Sequence, residues 1–214
     1  MVNNASVRDL ESRSQGDGDT EQRILNAAHR VFLRRGTQGA RMQEVADEAG
    51  VNKALLHYYF RSKERLAEAV FERAVGDLFP RLMGLLGSSL PIEAKVEAIV
   101  HAETDFLAEH PYLPGYIISE LTFDPERIRK IVSSRGRVPV ASLQAQIDER
   151  VAAGELRPIR VEQFVVNLVS LIVFPFAARP LIETLLGLEG DRFASFRAER
   201  RATLAAFFLN ALRP

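Results

Sequence analysis

The stretch "VADEAGVNKALLHYYFRSKERL", residues 45–66, decides how this chain folds. It places Ala46, Gly50, Val51 and Leu56 at the spacing of a helix-turn-helix. A small residue at Ala46 lets a second helix cross close by. Gly50 supplies the left-handed backbone that ends the first helix, which other residues adopt only at a cost. Val51 plugs the turn, Asn52 caps the next helix, and Leu56 points back into a three-helix core. A turn of this kind sets two helices at about 90–120° and leaves the second free to enter a DNA major groove.

The second helix mixes aromatic residues with cations. At about 100° per residue, Leu56, Tyr59 and Phe60 fall on the core arc. Ala54, Leu55, His57 and Tyr58 fall on the other, with Lys53 at its leading edge. Arg61 and Lys63 lie just past the end, where a phosphate backbone would run, and no acidic residue occurs from Val51 to Lys63. Over the whole chain Lys+Arg and Asp+Glu both number 28, a formal net charge of zero. A DNA reader of that composition must gather its cations on one face, as this segment does.

The rest of the chain reads as helix. Its 214 residues, 47% apolar and 26% charged, suffice for one large or two small domains with a buried core. In "TEQRILNAAHRVFLRRG" the residues Ile24, Leu25, Ala28, Val31 and Phe32 form one stripe, with Thr20 as N-cap and Gly36 at the C-terminal end. "RMQEVADEAG" is a helix of about two turns, and a fourth helix starts after the N-cap Ser62 and runs to Pro80. Later helices are expected over residues 91–109, 112–121, 125–152, 161–186 and 191–211. The third of these opens with Asp-Pro-Glu, an N-cap followed by Pro, and stops at Gly154. The expected organisation is all-α: a flexible arm over residues 1–19, a helix-turn-helix unit over 20–66 with a linking helix to about 79, and a larger helical unit over 80–214.

Zero cysteines exclude disulfides and thiolate metal sites and fit a reducing cytoplasm. No segment reaches the roughly 18–20 apolar residues of a membrane span. "FVVNLVSLIVFPFAA" is interrupted by Asn167, Ser170 and Pro175 and reads as a buried helix. The N-terminus has no apolar core of the signal-peptide kind.

Residues 20–73 resemble the DNA-binding domain of TetR-type transcriptional regulators. The resemblance rests on "ILNAAHRVFLRRG" followed by "VADEAGVNKALLHYYFRSKERL": Val-Ala, Ala-Gly-Val, a short helix, an aromatic cluster ending in Phe, then Ser-Lys-Glu-x-Leu. It implies that Lys53, Ala54 and Leu55 face bases or phosphates, alongside the cap Asn52. It also implies that His57 and Tyr58 meet phosphate or thymine methyls, that Lys63 meets the backbone, and that Gln43 reaches a base. Two positions depart from the pattern. His57 stands where the family often has Tyr and offers a pH-sensitive phosphate contact. Residues 39–41, "GAR", lack the hydroxyl that usually caps the second helix, and Arg41 is instead a candidate phosphate contact.

The larger unit carries two strongly apolar helices near its end. For a TetR-type protein they imply a homodimer interface, with Leu171, Phe193, Phe196, Leu204, Phe207 and Phe208 as candidates. The two-fold axis would set the recognition helices about one DNA turn apart on a roughly palindromic operator. The resemblance further implies a repressor that a small-molecule effector releases from DNA. Phe106, Tyr112, Tyr116, Phe123, Phe164, Asn167 and Phe174 are candidates to line its pocket, equally readable as ordinary core. Pro175 and Pro180 are placed to kink the helix beside it.

Rival readings are thinner. His101 and Asp105, with His110 behind them, sit at a spacing that could hold a metal in a helical metal protein or enzyme, but two residues are not a site. Glu103 and Glu120 as catalytic carboxylates lack a supporting phosphate loop or nucleophile motif. The expectation is therefore no enzyme, no metal and no cofactor. A DNA-binding regulator without small-molecule control is the remaining alternative.

Overall fold

A computed structural model describes residues 4–123, 125–134 and 136–214. Side chains are described from Gly18 onward, apart from residues 75, 77, 120, 123, 127, 128, 131 and 132. The described residues form helices joined by short turns, with no strand. The chain divides into two compact units, the first ending at Arg73 and the second spanning Ala74–Pro214.

The first unit holds α1 (Asn4–Gly39), α2 (Met42–Ala49), α3 (Lys53–Tyr59) and the opening turns of α4 (Lys63–Gly87). Helix α1 begins well before Thr20, so residues 4–19 continue it where the sequence predicts an arm; residues 4–15 contain neither Gly nor Pro to stop a helix. The expected break at Gly36 is present as left-handed backbone, φ 65°. Ile24, Ala28, Val31 and Phe32 of α1 are buried, as are Val45 and Ala46 of α2, Leu56 of α3, and Leu66, Val70 and Phe71 of α4. This small core fixes the angle at which α3 is presented.

The second unit holds the rest of α4, then α5 (Ile92–Glu109), α6 (Leu113–Phe123), α7 (Pro125–Ser133), α8 (Val140–Ala152), α9 (Val161–Ala177), α10 (Arg179–Leu186) and α11 (Asp191–Ala211). Its core gathers Val96, Ile99 and Val100 of α5, Leu143 and Ile147 of α8, Phe164, Leu168 and Ile172 of α9, and Leu204 and Phe208 of α11.

Three sequence-based boundaries are corrected. Helix α4 passes Pro80 and continues to Gly87. The single helix expected over 125–152 is two, separated by Gly136 at φ 120° and by Pro139 at the N-cap of α8. The helix expected over 161–186 breaks at Ala178, where Pro180 enters the first turn of α10, and the two pieces meet at 74°. Pro175 itself is accommodated inside α9. The Asp124 cap of α7 lies outside the described residues. Among the described residues no single helix is long and apolar enough to cross a membrane; α9 and α10 pass that test only as a bent pair.

Candidate nucleic-acid interface and an interior cavity

Helix α2 and α3 are locked together by their turn. Gly50 takes left-handed backbone, φ 64° and ψ 36°, and the Val51 N–H donates to the Ala46 carbonyl at 3.0 Å. Ala46 is fully buried, which permits the close crossing. The Asn52 Oδ1 accepts from the Leu55 N–H at 2.7 Å and caps α3. A guanidinium from α1 completes the clamp: Arg23 Nη2 donates to the Ala49 carbonyl at 2.8 Å. The cap of α2, which lacks a hydroxyl, is replaced from inside the helix, because the Glu44 carboxylate accepts from the Arg41 N–H at 3.1 Å.

The wheel read from the sequence matches the burial of α3. Leu56 is fully buried, Phe60 is buried and Tyr59 is half-buried. Lys53, Ala54, Leu55 and Tyr58 are exposed, Tyr58 at 73%. The Tyr58 ring stands edge-on to Tyr59 at 5.3 Å between centroids, so the inner ring steadies the outer one. His57 is half-buried, with Nδ1 3.3 Å from the Arg61 carbonyl. If that nitrogen carries the donated proton, Nε2 can donate to a phosphate only in the charged ring.

The surrounding charges are sorted by helix. On α1, Arg30 and Arg34 are both held by Glu48, at 2.6 and 2.7 Å, and the pairing holds the Glu48 carboxyl below its usual range. Lys53 and Arg61 make no ion pair among the described residues. Two candidate contacts are partly committed. Lys63 Nζ donates to the Gln38 carbonyl at 2.9 Å, and Gln43 Nε2 donates to Asp47 at 2.8 Å. Each keeps further donors for a ligand.

In the second unit, α4, α5 and α9 enclose a cavity of about 200 Å³. Phe79, Leu82, Met83 and Leu86 come from α4, Ile99 and Glu103 from α5, and Phe164, Val165, Leu168 and Val169 from α9, with Val138 between helices. Of the pocket candidates read from the sequence, Phe164 lines this cavity. Phe106 instead packs on His110, at 4.5 Å, and Tyr112 stands edge-on to that histidine at 6.2 Å. Tyr116 is buried elsewhere, Asn167 and Phe174 are exposed, and the Phe123 side chain lies outside the described residues. The α4 wall was missed because the helix was expected to end at Pro80; the spacing 79, 82, 83, 86 was its signal.

The dimer candidates also divide. Phe193, Leu204 and Phe208 are buried within their own chain, which removes them as principal interface residues, and Phe208 stacks edge-on with Phe164 at 5.1 Å. Leu171 and Phe196 are half-buried and Phe207 is 63% exposed. Helix α11 turns its 204, 208, 212 ridge inward and Phe207 outward, a choice of phase that an apolar stripe on both sides cannot reveal. Asp105 is taken by Arg201 in a two-pronged ion pair, 2.7 and 2.8 Å, which holds its carboxyl below the usual range. No group of three metal-ligating side chains occurs among the described residues.

Residues 24–70 match the model of the bacterial regulatory proteins, tetR family. That segment, with the turn and the α3 face built on it, is the part of the chain for which the family likeness is shown. The curated relatives that the chain matches are named as transcriptional regulators. The chain is similar to the probable HTH-type transcriptional regulator YttP of Bacillus subtilis, 24% identical over 79% of this chain and 83% of the relative. It is also similar to the HTH-type transcriptional activator FasR of Mycolicibacterium smegmatis, 39% identical over 41% of this chain and 39% of that one. Among solved structures, the transcriptional regulator FadR of Bacillus subtilis in complex with stearoyl-CoA shares the fold of this chain, with TM-score 0.61 and 16% identity. That likeness covers 90% of this chain and 99% of FadR.

Proposed function

We propose that this chain is a TetR-type transcriptional regulator, a cytoplasmic homodimer that reads a roughly palindromic operator with two copies of α3. In this reading it acts as a repressor, and a small effector in the α4–α5–α9 cavity releases it. The observation that carries the DNA half is the outer face of α3: exposed Leu55 and Tyr58 framed by Lys53 and Arg61, cations without ion-pair partners among the described residues. Arg41, Gln43, Asn52, Ala54, His57 and Lys63 flank that face. Lys53 and Arg61 supply phosphate attraction, while Leu55 and Tyr58 offer apolar contact to thymine methyls.

Support for the dimer comes from apolar side chains that one chain leaves exposed: Val166 and Phe174 of α9, Leu185 of α10 and Phe207 of α11. Support for effector control comes from α4, an unbroken helix with Lys63 at its start and cavity-lining residues in its last turns. A ligand that favours a different placement of those turns shifts the population away from the DNA-competent form, and DNA disfavours the ligand by the same factor.

Selection of binding sites from random duplex DNA, followed by a salt titration of the best site, tests this reading. A palindrome bound by a dimer with a steep salt slope is the expected result. Weak, sequence-independent binding contradicts it. Compounds that release the operator should lose that effect in Val165→Phe, which fills the cavity; a full response in that variant removes the effector role.

A further inference from the structure

Among the described residues, two charged side chains are buried in the second unit, and the fold treats them differently. Lys95 of α5 is 3% exposed, and its ammonium donates to the Leu86 carbonyl at 2.8 Å and to Gln146 Oε1 at 2.7 Å. Glu103, two turns further along α5, is 7% exposed, and its buried Oε2 has no hydrogen-bond partner among the described residues. It faces a cavity whose other lining residues, among those described, are uncharged and apolar. Buried charges in stable interiors are paired, and leaving one unpaired costs several kcal/mol in general. Lys95 shows that this fold satisfies a buried charge with hydrogen bonds where its role is structural.

We propose that Glu103 is the anchor for an effector that is a small lipophilic amine, its ammonium against the carboxylate and its apolar body against Leu82, Ile99, Phe164 and Leu168. This deepens the effector reading above and rests on it. Charge selects the class: the described lining holds no cation to receive an anionic ligand, and an ionised carboxylate only accepts hydrogen bonds. Size selects within the class, because a cavity of about 150 Å³ takes benzene and this one is about 200 Å³. One ring or a short branched chain with one amino group fills it. Burial pushes the Glu103 carboxyl up to about 7, and no other lining side chain titrates. An arriving ammonium therefore ionises Glu103 and expels a proton below that pH.

The test uses the purified full chain and three probes of matched shape: 2-phenylethylamine, 2-phenylethanol and phenylacetate. Calorimetry should show the amine binding roughly tenfold or more tighter than the alcohol, phenylacetate weakest, and a proton released with the amine at pH 6.5. Glu103→Gln, checked by thermal melting to be folded, should bind the alcohol as before and lose the preference for the amine. Val165→Phe should lose both ligands, which locates them in the cavity. An amine preference that survives Glu103→Gln, equal binding of phenylacetate, or no amine binding overturns the proposal. Operator release is read separately. Glu103-dependent amine binding that leaves the operator complex intact would defeat the effector reading and keep the site, whereas release by other compounds without amine binding would do the reverse.

Discussion

Two regions of this molecule expose large apolar side chains, and they ask for different partners. On α3, Leu55 and Tyr58 stand among Lys53 and Arg61, on a segment with no acidic residue from Val51 to Lys63. Across α9 to α11, Val166, Phe174, Leu185, Leu186 and Phe207 are each more than half exposed, and most of their exposed neighbours are apolar or uncharged. An exposed aromatic in a frame of cations suits a polyanion whose bases present methyl groups and flat edges. An exposed apolar surface without that frame suits a second protein surface of the same kind. The chemistry of the neighbours, and not the exposure itself, separates the two.

The comparison breaks most visibly if the second region is charged. Phe207→Asp is expected to yield monomers in sedimentation and to weaken operator binding by about 10²-fold or more, since two linked half-sites become one. The melting of the first unit should be unchanged. A dimer that survives this change would mean that the exposed surface serves something else.

Glu103, whose buried Oε2 has no hydrogen-bond partner among the described residues, has a thermodynamic effect. Its carboxyl sits at about 7 in the folded chain against an ordinary 4.5. Between those values the native state holds a proton that the unfolded chain has lost, so stability falls as pH rises through this window and levels off above it. A displacement of that size corresponds to up to about 3 kcal/mol. Urea titrations at pH 5 and pH 8 should show this decline in the native chain, and Glu103→Gln should lose that component and be the more stable protein at pH 8.

The first region is sharpened by smaller changes. Tyr58→Ala and Lys53→Ala should each weaken operator binding roughly tenfold, about 1.4 kcal/mol, with unaltered thermal melting. Lys53→Ala should also lower the salt slope by about 1, and Tyr58→Ala should leave that slope alone. Retained affinity in both variants would take α3 out of the interface. The smallest effect belongs to the cap. Asn52→Ala removes the 2.7 Å bond to the Leu55 N–H and should cost about 1 kcal/mol in urea unfolding.

The two regions were also unequally legible. The helix-turn-helix was readable residue by residue because its determinants are local. Gly50 must be left-handed, Asn52 must cap, Leu56 must face inward, and all three follow from positions a few residues apart. The missing hydroxyl before α2 was legible too, but not its substitute, since Glu44 turning back to the Arg41 N–H is one of several rotamers open to that side chain.

From its sequence alone this protein had its helical class, its turn, the arc of α3 that faces outward and its family resemblance. Periodicity and backbone chemistry act over a turn or two of chain, so these are written where they are used. Only the tertiary structure decided that α4 passes Pro80 to wall a cavity, that Phe208 points in while Phe207 points out, and that, among the described residues, Lys95 is hydrogen-bonded where the Glu103 Oε2 is not. Each of those depends on what a neighbouring helix, tens of residues away, brings against the side chain. An apolar stripe wide enough for two partners does not say which partner takes which residue.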